Sequence, residues 1–157
     1  MNRSFLAATL VLACCAQGAT QDSPRAVAEA VVRAWNDGKT DLLVGLLPPA
    51  EALRKHFVCK PSGRLLDQRA RARDEVDTEF AAFRAARMQV RIVSFEGAPR
   101  AYAPGDSYSG CEVAAPLTIL KAHVTLTYRK GARNDEETET WPLFRFEDGG
   151  PWYYAKL

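Results

Sequence analysis

From Leu120 to Arg129 the chain alternates apolar and polar side chains at every residue. A period of two fits an extended strand and no helix. Leu120, Ala122, Val124, Leu126 and Tyr128 share one face, and Lys121, His123, Thr125, Thr127 and Arg129 share the other. A strand over Leu117–Arg129 with this pattern needs cover on one side only. That is the signature of an antiparallel sheet packed on one face. The cover has to come from elsewhere in the chain, and the first half of the sequence is suited to supply it.

Ser23-Pro24 is a helix start, a capping serine followed by proline at the first helical position. Val27, Ala30, Val31, Ala34 and Trp35 then form one apolar stripe, and Gly38 is the stop, so a helix is expected over 24–37. Asp41 is expected to cap a short apolar segment, Leu42 to Leu47, closed by Pro48-Pro49. Residues 50–58 read as another short helix before Lys60-Pro61-Ser62-Gly63 breaks the chain. Leu65, Ala72, Val76, Phe80 and Phe83 keep a helical period through a long amphipathic helix, about 65–87.

Met88 to Phe95 is rich in β-formers and alternates, which predicts a strand. Residues 96–112 hold two prolines, three glycines and two tyrosines, and read as a long, flexible rim loop. Residues 130–137 read as a polar hairpin turn. Thr138 to Glu147 returns as a strand in which Pro142 implies an edge or a bulge. Asp148-Gly149-Gly150-Pro151 turns again, and Trp152 to Leu157 is the last strand. Helices followed by a meander define an α+β chain. The expectation is one domain over 20–157, with N-terminal helices packed on a curved, cone-like antiparallel sheet of about four strands. A bulge near Pro142 would supply the curvature.

The first 19 residues are of a different kind. Met1-Asn2-Arg3 is a positive start, and Phe5 to Ala13 is an apolar run of signal-peptide length, too short to span a bilayer. Val11-Leu12-Ala13-Cys14 resembles the lipobox of bacterial lipoproteins, which implies a lipid on Cys14 and attachment to the cell envelope. The alternative is an ordinary secretory signal cut after Ala16 or Gly18, giving a secreted or periplasmic form. An uncleaved anchor is the weakest of the three.

Outside that segment only Cys59 and Cys111 remain of the four cysteines. In an oxidising compartment a lone pair predicts one disulfide. Net charge is +2, and +1 once Arg3 is gone, which argues against a nucleic-acid partner. Arg69, Arg71 and Arg73 are answered by Asp74, Glu75 and Asp77, as on a solvated helix face.

Three features together resemble the nuclear transport factor 2-like superfamily over residues 24–157. They are the opening helix ending at Trp35-Asn36-Asp37-Gly38, the long strands, and the closing Trp141 followed by Asp148-Gly149-Gly150-Pro151-Trp152-Tyr153-Tyr154. The resemblance implies a cone with an internal pocket and often a homodimer through the outer sheet face. It implies no activity, because the fold hosts enzymes, carriers and interaction modules.

Isomerase and dehydratase members use a pocket carboxylate or histidine with a hydrogen-bonding tyrosine or acid. Here the inward strand positions hold no central Asp or Glu, and His123 lies on the polar face. Tyr128 is the one candidate oxyanion donor, with a loop acid such as Asp106 or Glu112 as its partner. His56 and Cys59 share a helical face but make only half of a metal site, so no metal and no cofactor is expected. Trp35, Phe80, Phe83, Leu126, Tyr128 and Phe144 are the candidate lining of an apolar pocket, with Tyr102 and Tyr108 as rim residues. The expected function is that of an exported, non-catalytic module binding a small apolar ligand or a partner protein. The alternatives are an isomerase-, dehydratase- or cyclase-like enzyme and a structural dimerisation module. Membrane contact would come only through a lipid on Cys14.

Overall fold

The computed structural model describes residues 21–60 and 65–156. The expected export signal, the lipobox-like Val11–Cys14, and the expected break at 61–64 lie outside these residues. Helix α1 (Pro24–Asp37) runs as its stripe predicts. Ser23 Oγ accepts from the Ala26 N–H at 3.2 Å, and Gly38 closes the helix with φ +60. In that left-handed conformation its N–H and that of Lys39 bond back to Trp35 and Ala34. Helix α2 (Thr40–Leu46) departs from expectation at its start. Lys39 stands at the cap without a side-chain bond, and Asp41 lies inside the first turn. There Asp41 pairs with Arg73 at 2.7 Å, while Thr40 donates to Asp77 at 2.5 Å, so both residues tie α2 to the long helix instead.

Helix α3 (Ala50–His56) ends two residues before 58. Phe57 turns extended and opens β1 (Phe57–Cys59), because its buried ring packs on Tyr108 and Phe144 at 6.1 and 5.6 Å. Helix α4 (Leu65–Ala85) buries the predicted stripe of Leu65, Ala72, Val76, Phe80 and Phe83. Its arginines face outward with ties: Arg69 donates to the Pro48 carbonyl at 2.8 Å and Arg73 to Asp41.

Strand β2 (Met88–Glu96) is followed by three short strands, β3 (Pro99–Tyr102), β4 (Ser107–Tyr108) and β5 (Cys111–Val113), where a loop was expected. Strands β6 (Leu117–Lys130) and β7 (Arg133–Arg145) then pair along their whole length, joined by Gly131-Ala132 alone. Gly131 has φ +63, which only glycine adopts freely, so a two-residue turn replaces the eight-residue one expected. Strand β8 (Tyr153–Tyr154) closes the chain.

The main sheet has five strands in the order β2-β6-β7-β8, with β3 also paired to β6. It curls into a half-barrel around the helices. The bulge that bends it lies at Val93 in β2, between Ile92 and Ser94, and not at Pro142. Pro142 pairs in register with Lys121. Its carbonyl accepts from Ala155 at 2.8 Å, but it has no N–H to return, and the ladder to β8 stops there. On the opposite edge, the Asn36 amide clamps both backbone groups of Val90, at 2.8 and 2.9 Å, shielding an otherwise open strand.

The two faces of β6 lead to two separate cores. Leu120, Ala122, Val124 and Leu126 pack with Trp141 and Leu143 against α1, α2 and α4. Leu117 and Ile119 face the other way with Phe144 and Phe146, under α3 and a small sheet ordered β1-β5-β4. Cys59 and Cys111 stand directly opposite each other in that small sheet and form the predicted disulfide. The outer face is thus covered at one end of the main sheet. His123 and Arg129 remain exposed at the other.

Candidate functional site

The inner sheet face and the helices do not close completely on each other. Between them lies a cavity of about 460 Å³. Val32, Leu43, Leu47, Val76, Val90 and Leu126 make its apolar wall, and Trp35 and Trp141 add two indoles. Each arrives by a simple rule. Val32 and Trp35 lie on one flank of α1, Val76 follows Ala72 by one turn of α4, and Leu126 is an inward position of β6.

Of the eight expected pocket residues, Trp35, Leu126 and Tyr128 line the cavity. Phe80 and Phe83 pack behind it on the Trp35 ring, at 4.7 and 5.2 Å. Tyr102, Tyr108 and Phe144 sit in the second core, on the other side of the sheet. The tyrosines are not on a rim. The disulfide and the β3–β6 pairing draw their segment inward, Tyr102 packs edge-on against Tyr108 at 5.9 Å, and Lys121 covers the Tyr108 ring at 5.6 Å. Asp106 accepts from the Ala103 N–H in its own turn at 2.8 Å and does not line the cavity. His56 is buried, with Nδ1 against the Ala52 carbonyl at 2.9 Å, and Cys59 is consumed by the disulfide.

The polar groups of the cavity come from β6, β7, β8 with the residues after it, and α4. Glu139 points inward two residues before Trp141, hence on the same face, across from Val124. Its carboxylate accepts from the Trp141 indole N–H at 2.7 Å, from the Tyr128 hydroxyl at 3.5 Å, and from the Lys156 ammonium. Burial pushes the Glu139 carboxyl up, but the bonds from Lys156, Trp141 and Tyr128 outweigh it and hold it below its ordinary range. Tyr128 is pushed up to about 12 by burial and by the charges of Glu139 and Glu137. Tyr154, at the back of the cavity, is raised by burial and by Glu139 and Glu79. Glu75 and Glu79, one turn apart on α4, complete the lining at the solvent side.

Glu139 lies inside the strand expected over Thr138–Glu147 and was missed because only the Leu117–Arg129 strand had its two faces assigned. Carrying the alternation back from Trp141 puts Glu139 and Glu137 on the inner side.

A carboxylate held ionised by three donors links folding to pH. Its folded value is lowered, so its contribution is present above the ordinary carboxylate range and is lost as pH falls through the folded value. The wild-type chain is expected to exceed Glu139→Gln in urea midpoint at pH 7. That gap should close as pH falls from about 5 to 3. Urea titrations across this range check it, and a gap independent of pH would contradict the ionised assignment.

No protein-family model matches the chain, and no characterised protein matches it in sequence.

Proposed function

We propose that this chain is an exported, non-catalytic envelope module that binds a small apolar ligand in the cavity between sheet and helices. The observation that carries the reading is the cavity itself. At about 460 Å³, with an apolar wall and a few convergent polar groups, it has the size and character of a small-molecule site. The apolar run at 5–13 and the disulfide support export, since such bonds persist in oxidising compartments. The lipobox-like Val11-Cys14 supports a lipid tether. The helices on a curled sheet support kinship with the nuclear transport factor 2-like cone.

The enzyme reading has one observation in its favour, the contact between Tyr128 and Glu139 inside a cavity. The same contact argues against it. The Tyr128 proton is spent on Glu139, so it does not face a developing oxyanion. Glu139, held low by three donors, is a weak base.

The test is native mass spectrometry of the chain made in an oxidising compartment, beside Ala72→Phe. Ala72 is buried and lines the cavity, so a phenyl ring there fills it. The expected result is an adduct of the wild type that Ala72→Phe loses while staying folded. An adduct that survives in the filled variant would place the ligand elsewhere.

A further inference from the structure

We infer that the ligand of this cavity carries a protonated amine at one end of an apolar body. The inference rests on the ligand-binding reading above and names the chemistry of what binds.

The first observation is the sign of the lining. Glu75, Glu79 and Glu139 supply three carboxylates, and Lys156 supplies the only cation among the described lining residues. That ammonium is already engaged by Glu139. Glu75 and Glu79 share a helical face, so both stand at the same mouth. Glu137 adds a charge close enough to act on Tyr128. An anionic head would meet net repulsion here, and a neutral head would gain nothing from Glu75 and Glu79.

The second observation is Tyr154. It is 7% exposed and lines the cavity, yet among the described residues its hydroxyl has no hydrogen-bond partner. Glu139 and Glu79 line the same cavity, and after burial their charges are what raise that hydroxyl. Among the described residues the side-chain atoms sealed without a partner are Gln21 Nε2 and Arg145 Nε, so the Tyr154 hydroxyl is open to the cavity, where a ligand group with N–H donors can bond to it. An ammonium has three donors and no acceptor, which matches a hydroxyl oxygen and carboxylates that line one cavity. The rings of Trp35, Tyr128, Trp141 and Tyr154 line the same space, and an aromatic face attracts a cation.

The experiment titrates the full chain with 1-adamantylamine, 1-adamantanol and 1-adamantanecarboxylate, which share one cage and differ only in the head. Binding is read from the fluorescence of Trp35 and Trp141 in the wall and confirmed by calorimetry. The amine is expected to bind at least tenfold more tightly than the alcohol, and the carboxylate more weakly than either. The Glu75→Gln, Glu79→Gln double variant should lower amine affinity at least fivefold and leave the alcohol unchanged. Both residues are exposed at their helix surface, so the fold should tolerate the change. Equal affinity for amine and alcohol, lost in Ala72→Phe, would overturn the amine and leave the apolar site standing. An amine preference that survives the double variant would also overturn it. Failure of all three compounds to bind would overturn the amine and the ligand reading together.

Discussion

Replacing Cys59 and Cys111 together by alanine is expected to lower the unfolding free energy by about 4 kcal/mol. The bond closes a loop of 52 residues, and the chain entropy released to the unfolded state sets that figure. The loss should not be spread evenly. The disulfide pins β1 to β5 across directly opposed residues, and these short strands form the lid of the second core. Residues 57–59 and 99–113 should lose amide-exchange protection first, while α1 and the inner halves of β6 and β7 keep theirs. Urea unfolding gives the magnitude, and hydrogen exchange by mass spectrometry gives the location. A loss below 1 kcal/mol would mean that β1 and β5 stay joined without the bond. Uniform loss of protection would mean that the two cores unfold as one.

The same region separates what was legible in the sequence from what was not. The alternation over Leu120–Arg129 identified the buried face of β6 residue by residue, because one face meets helices and the other meets water. The rule changes at Ile119-Leu120, two adjacent apolar residues, and again at Leu143-Phe144, which lies opposite them. Such doublets mark where a sheet is covered on both sides, and here they mark the second core. Strands β3, β4 and β5 were hidden because none exceeds four residues, too few to show a period among prolines and glycines. Strand β3 is held by β6 and β5 by the disulfide-linked β1, both distant partners, and β4 pairs in turn with β5. The first half of β7 was hidden for the opposite reason. Arg133 to Thr138 are exposed on both faces, so no apolar residue alternates, and only the ladder to β6 keeps the segment extended. Glu139 lies just past that segment, inside the expected strand, and the polar end of the cavity went unread because that strand's two faces had not been assigned.

Phe144 to alanine is expected to destabilise the chain by about 3–5 kcal/mol and to leave ligand affinity unchanged. Its ring is fully buried, with Tyr108, Phe57 and Phe146 at 5.4, 5.6 and 6.0 Å, so little of the space left behind can be refilled by relaxation. The neighbouring Leu143 points to the opposite face and packs in the core that holds the cavity. Sequence composition placed Phe144 in the pocket with the other large aromatics, whereas strand parity places it one sheet thickness away. Urea unfolding and an adamantyl titration on the same variant, at a temperature where it remains folded, separate these two assignments. A large loss of stability with intact affinity fits two cores that share only a sheet. A parallel loss of affinity would mean that the sheet transmits packing from one face to the other. The second core would then be part of what shapes the site, despite touching none of it.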